Sequence, residues 1–288
     1  MQDRERTGIW QMLSGKNLKK KGSSLKTRKT EQTGKSRSDS EWIYGTNPVL
    51  EAIRAGRFIK CIFMSSARRD RIPEIRREAE EKKTPVKILN PIFFDRSFPK
   101  GHQGVAAEVS PKDYMPLDEL LDIPRKKNHV PFFLILDCIE DPRNFGAILR
   151  VADAAGIHGV VIQSHRSITL SSEVSKVSAG ASEYVPVSMT PNIKHAMHEM
   201  KEMGITIIGA EAGAGDSLWD VDLTVPVALV IGSEGKGLRR TIGTLCDRLV
   251  KIPMRGRINS LNVSVATGIL AFEIIRQRHR NNLKSRRI

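Results

Sequence analysis

Apolar runs and mixed polar stretches alternate along the chain in two patterned regions separated by a break. The first region predicts a strand over 42–45, a helix with Asn47 as its cap and Pro48 at its first position running to about 55, and a strand over 59–64. A charged helix near 72–82, a strand over 86–89, a short helix near 91–96 and a closing strand near 104–109 complete a small α/β unit, 41–110. Pro111, Pro116 and the run from Pro124 to Asn128 then interrupt the periodicity, so 111–130 reads as a linker. From Pro131 strand and helix alternate: strands over 132–137, 160–163, 184–187, 205–209, 227–232 and 249–252, helices over 145–155, 171–179, 193–203 and 238–246, and a last helix from about Ser260. Such alternation predicts a parallel sheet covered on both faces, with any ligand beyond the carboxyl ends of its strands. This second domain spans 131–278, and 279–288 forms a tail.

Charge adds a partner to this picture. Of a net charge of +15, residues 1–40 contribute 11 Lys/Arg against 4 Asp/Glu and residues 276–288 contribute 6 against none, so the 235 residues between are close to neutral. Basic ends poor in apolar residues are expected to stay disordered by themselves and to attract a polyanion, here nucleic acid. No apolar run reaches the roughly 18 residues of a membrane span. The first 20 residues lack the apolar core of a signal peptide, and Asp3 and Glu5 argue against a transit sequence, so a cytoplasmic, membrane-free protein is expected. Cys61, Cys138 and Cys246 show no paired or metal-ligand spacing and read as buried thiols, with no metal site.

Three loops follow strands of the second domain and carry unusual residues. The first, from Asp141 to Arg150, offers Asn144 as a helix cap; Arg150, six residues on, is expected on nearly the same side and toward the ligand edge. The second places Gly232, Gly235 and Gly237 within six residues, where the main chain can wrap a ligand and Glu234 can either meet a ligand cation or brace the loop. It fits neither the phosphate-binding G-x-x-x-x-G-K-[ST] pattern nor G-x-G-x-x-G, which argues against NTP hydrolysis and NAD binding. The third follows a strand stopped by Pro253 and feeds a helix with Val263, Ala266, Thr267, Leu270 and Ile274 on one face. Ser260, Asn262 and Ser264 stand beside the unpaired backbone donors of its first turn. Together the loops predict a cofactor-sized pocket with Arg, Glu, Ser and Asn beside a surface that seeks nucleic acid.

At these positions the sequence resembles the SpoU family of RNA 2′-O-ribose methyltransferases, within the knotted SPOUT superfamily. The likeness rests on Asp141-Pro142-x-Asn144-x-Gly146 with Arg150, on Ile231-Gly232-x-Glu234-Gly235-x-Gly237-Leu238, and on Ile252-Pro253-Met254 continuing to Ser260-Leu261-Asn262-Val263-Ser264, and it covers about 41–278. The leading domain, with Tyr44-Gly45-x-Asn47-Pro48-Val49 and His102-Gln103-Gly104-Val105, is similar to the ribosomal-protein-like substrate-binding domain of the branch that methylates a 23S rRNA guanosine. The resemblance implies S-adenosylmethionine as cofactor, held mainly through backbone at Gly232, Ile252 and Leu261. It implies a catalytic side shaped by Glu234, Ser260 and Asn262, with Asn144 and Arg150 facing the ribose. A deep trefoil knot and a homodimer packed partly through the last helix are implied as well. A tRNA or another rRNA site is the alternative substrate, and a non-catalytic RNA-binding assembly factor the alternative class. No His is obviously placed as a base: His102 is read as structural or RNA-facing, and His158 as a surface turn residue.

Overall fold

Two sheets organise the residues that the computed structural model describes, which are 40–67, 72–165, 167–257 and 259–285. The extension expected over 1–40 lies outside the described residues except for Ser40. In the small domain β1 (Glu41–Tyr44), β2 (Ile59–Ser65), β3 (Val86–Leu89) and β4 (Val105–Val109) pair in the order β1-β4-β2-β3, with β2 and β3 parallel and the other pairs antiparallel. Successive side chains on a strand point to opposite faces. Ile62, Met64, Val105, Ala107 and Val109 therefore pack with α1 (Thr46–Arg54) and α2 (Ile72–Glu81), while Cys61, Phe63 and Ala106 pack with Phe94 of α3 (Pro91–Ser97). Asn47 lies within the first turn of α1 instead of capping it. Gly45, at φ 100°, takes the capping position, where a Cβ would run into the Lys176 ammonium.

The second sheet has seven strands, all parallel: β5 (Phe132–Leu136), β6 (Gly159–Gln163), β7 (Val187–Thr190), β8 (Thr206–Ala210), β9 (Asp216–Ser217), β10 (Val227–Ile231) and β11 (Arg248–Lys251), in the order β7-β6-β5-β10-β8-β11-β9. Phe132, Leu134 and Leu136 of β5 face a core shared with Phe145 and Ile148, whereas Phe133 and Ile135 face the opposite core with Met197 and Met200. Both faces of β5 are buried, which is why its sequence is an unbroken apolar run. The seventh strand, β9, escaped the periodicity because it is only two residues long. The strand expected over 184–187 lies instead at Val187–Thr190, after a 3₁₀ turn at Ala181–Glu183.

The segment read as a linker contains a helix, α4 (Leu117–Lys127), that belongs to this domain. Leu117, Leu120, Leu121 and Pro124 recur at helical spacing, and Leu120 and Leu121 are buried beside Phe133 and Val161. Asp118 and Glu119 in the first turn and Arg125, Lys126 and Lys127 in the last favour the helix dipole, and Asn128 ends the helix at φ 53°. Prolines obscured this stripe without breaking it. Leu120→Ala is expected to destabilise the fold by about 2–5 kcal/mol in urea denaturation, a cost that a linker side chain would not carry.

Four further helices are α5 (Pro142–Ala154), α6 (Ser172–Val177), α7 (Ile193–Glu202) and α8 (Arg240–Gly243), the last much shorter than the 238–246 expected. The final helix, α9 (Val263–Ser285), begins three residues later than expected and continues beyond 278, so the tail is helical through Ser285. Arg278 anchors its distal turns by donating to the carbonyls of Val130 (3.1 Å), Pro131 (2.8 Å) and Val225 (2.7 Å) while lying over the Phe132 ring. The small domain is docked on the segment around α6: Tyr184 donates to Glu51 (2.7 Å), Arg57 pairs with Glu183 (2.9 Å), and Lys176 donates to Gln103 (3.3 Å). His102 accepts from Gly104 N–H (2.9 Å) and stacks on Phe94.

His158 is not on the surface. Its backbone N–H donates to Phe132 O as β6 enters the sheet, and this draws the ring inside, where Nδ1 accepts from Phe132 N–H (3.1 Å). Burial pushes its pKa down to about 4. Between roughly pH 6.5 and 4 the unfolded chain then binds more protons than the folded one, so stability falls as pH drops through that window. Urea midpoints measured at pH 7 and pH 5 should show this loss in the wild type and a smaller loss in His158→Asn.

Candidate active site

The three loops leave the carboxyl ends of β5, β10 and β11 and meet across that edge of the sheet. At the first, Asp141 caps α5 by accepting from Arg143 N–H (2.8 Å), with Pro142 at the first helical position. The capping expected of Asn144 is thereby taken, and Asn144 sits inside the first turn at 8% exposure with its amide free for another task. Its Nδ2 donates to Glu234 Oε2 (3.0 Å) and its Oδ1 accepts from Asn262 Nδ2 (2.9 Å). Asn262 Oδ1 in turn accepts from Ser264 N–H (3.0 Å) and Ser264 Oγ (2.6 Å), which caps α9. A carboxylate only accepts, so the amide nitrogen of Asn144 must face Glu234 and its oxygen must face Asn262. One hydrogen-bonded chain thus joins all three loops.

The glycine loop is a tight hairpin in which Ser233 and Gly237 exchange two backbone hydrogen bonds (3.1 and 3.0 Å). A Cβ on Gly232 would overlap the backbone of Gly237 and Leu238, so that position must stay bare. The loop's exit is clamped by Asp137, a fully buried carboxylate at the end of β5 that accepts from Arg239 N–H (2.9 Å) and Arg239 Nε (2.6 Å), while another nitrogen of that guanidinium donates to Gln163 (2.8 Å). No sequence motif marks Asp137, Arg239 or Gln163. The only local sign was a carboxylate directly after five buried apolar residues.

A cleft opens between the second and third loops. Gly232, Glu234, Ile252, Ser260 and Leu261 line it, together with Glu211, Ile231, Val250, Val263, Ala266 and Leu270. Neither Asn144 nor Asn262 lines it; Asn144 is tied to Glu234, and Asn262 to Asn144. Arg150 is not brought to the same side as Asn144. Six residues at about 100° each leave the two some 120° apart around the helix, and Arg150 is exposed on α5. The cleft has an apolar half suited to a flat base and two carboxylates, Glu211 and Glu234, suited to hydroxyls or positive charge. The glycine loop leads into a helix of only four residues, which supplies little dipole for phosphates. Lys236 and Lys251 also line the cleft, so both signs of charge surround its apolar part. Among the described residues no group of three His, Cys, Asp or Glu is placed to hold a metal ion, and no helix is long and apolar enough to cross a membrane.

Comparison with known proteins extends these observations. Residues 131–272 match the model of the SpoU rRNA methylase family, and residues 42–115 match that of the RNA 2′-O ribose methyltransferase substrate-binding domain. The chain is 39% identical over 240 residues to YacO of Bacillus subtilis, a protein assigned by name to the TrmH family of tRNA/rRNA methyltransferases, covering 83% of this chain and 96% of YacO. A TrmH family relative from Staphylococcus haemolyticus is 40% identical over 238 residues, 82% of this chain and 96% of its own length. Among solved structures, the SpoU methyltransferase AviRb of Streptomyces viridochromogenes in complex with AdoMet superposes with a TM-score of 0.72 at 25% identity, over 96% of this chain and 99% of that one. Its architecture, its three joined loops and these relatives agree: the chain belongs to the SpoU, or TrmH, family of RNA methyltransferases.

Proposed function

We propose that the protein transfers the methyl group of S-adenosylmethionine to the ribose 2′-hydroxyl of a guanosine in 23S rRNA, in the cytoplasm. The observation that carries this reading is the hydrogen-bonded chain Glu234–Asn144–Asn262, which ties the first loop to the two loops that line the cleft. S-adenosylmethionine supplies an electrophilic methyl for in-line attack by the ribose oxygen. Gly232, Ile252 and Leu261 hold the cofactor, its adenine among the apolar side chains. Glu234, Ser260 and Asn262 shape the transfer side, Asn144 keeps them in register, and Arg150, exposed on α5 outside the cleft, orients the incoming ribose from the RNA side. Alignment of the two reactants alone can lower the barrier by about 7–11 kcal/mol.

An RNA substrate is supported by the small domain, whose residues 42–115 match the RNA 2′-O ribose methyltransferase substrate-binding model. Pairing of two copies through α9 is part of the proposal and is supported by Val265 and Phe272, which are half exposed in the single chain. The deep trefoil knot of the family is also part of it, supported by the meeting of the 232–238 and 252–262 loops at one cleft. Mapping 2′-O-methyl sites in 23S rRNA and tRNA from cells with and without the protein tests the assignment. Loss at one 23S guanosine is expected. Loss at a tRNA site would move the substrate, and intact methylation in both RNAs would refute the activity.

A further inference from the structure

Glu211 carries a feature that neither the family motifs nor the loop network uses. It directly follows β8, the strand lying between β10 and β11, so it stands midway between the glycine loop and the Ile252 loop. Its backbone is fixed on both sides: Glu211 N–H donates to Val250 O (3.0 Å), and Glu211 O accepts from Ala214 N–H (3.1 Å). The carboxylate leans over Gly237. A Cβ there would lie 3.0 Å from one carboxylate oxygen and 3.3 Å from the other, and Gly237 is bare at φ 65°. Oε2 meets Leu238 N–H only at 3.4 Å, so the group retains most of its accepting capacity and lines the cleft.

We propose that Glu211 is a specificity residue for the cofactor, its carboxylate accepting hydrogen bonds from the 2′,3′-diol of the cofactor ribose. The inference rests on the cleft being the S-adenosylmethionine site. The apolar half of the cleft takes the base, and Glu234 with its asparagine partners marks the transfer end, where the sulfonium must lie. The ribose joins these two ends, and Glu211 is the other carboxylate of the lining. A carboxylate reading ribose hydroxyls is the device of dinucleotide sites on parallel sheets, here reached without their glycine pattern.

Calorimetric titration of the full chain with S-adenosylhomocysteine, its 2′-deoxy and 3′-deoxy analogues and S-adenosylmethionine tests the assignment. Glu211→Ala should weaken S-adenosylhomocysteine about 10–100-fold. The loss should be equal for S-adenosylmethionine and much smaller for the deoxy analogues. Glu211→Gln, which keeps an acceptor for Leu238 N–H, should show the same ranking with an unchanged unliganded melting temperature. An equal loss for the deoxy analogues would reduce Glu211 to a loop brace, and a larger loss for S-adenosylmethionine than for S-adenosylhomocysteine would assign it to the sulfonium; either overturns the proposal. Wild type that binds neither cofactor would refute the cleft assignment itself.

Discussion

Arg150→Lys is expected to depress single-turnover methyl transfer to an rRNA fragment by about 10²-fold, the cost of a ribose displaced from its attacking position. The depression should be uniform from pH 6 to 10, with affinity for S-adenosylhomocysteine nearly unchanged. Arg150 is exposed on α5 and outside the cleft lining, so removing it leaves the cofactor side intact. A guanidinium stays protonated in proteins and presents a planar fork to ribose and phosphate oxygens; lysine keeps the charge and loses the fork. If Arg150 were instead the general base, lysine, with its lower intrinsic pKa of about 10.4, would retain substantial activity on a profile displaced toward acid. An acid-shifted, rescued profile would therefore refute the orienting role.

Gly232→Val is expected to abolish the stabilisation that S-adenosylhomocysteine confers, which should be about 2.7 kcal/mol in the wild type at 100 times its dissociation constant. The physical reason lies within the loop: a Cβ at 232 would overlap Gly237 and Leu238, so the hairpin must open before any ligand arrives. Gly235→Ala is the matched control. Gly235 has φ 82° with open space where a Cβ would go, so alanine there costs only about 1–2 kcal/mol of backbone strain and should leave binding detectable. Thermal denaturation with and without ligand distinguishes the two. ATP or NAD raising the melting temperature while S-adenosylhomocysteine does not would overturn the cofactor assignment.

Local physics made much of this molecule legible in advance. The buried run from Phe132 to Leu136, the alternation of strand and helix after Pro131, and the stop at Pro253 follow from period, burial and the missing proline N–H, which short stretches of chain express by themselves. The same stretches misled where two local rules competed. At α4 the proline content outweighed an apolar stripe whose value depends on a partner: Leu120 lies where a Cβ on Gly159 would sit, 2.6 Å away. At α5 Asp141 and Asn144 are both capping residue types; Asp141 caps, with Pro142 at the first helical position, and Asn144 is left to reach Glu234.

By itself, then, the sequence determined which loops are unusual, which strands they follow and which letters they carry. Only the tertiary structure decided which side chains meet. Asn144 reaches Glu234 across 90 residues and Asn262 across 118 because β5 and β10 are neighbours in the sheet and α5 packs beside α9. Asp137 finds Arg239 across 102 residues, and Glu211 comes to lie over Gly237, for a reason of the same kind. Strand order sets these distances, and strand order is chosen by burial of both sheet faces over the whole domain, a sum that no window of sequence contains.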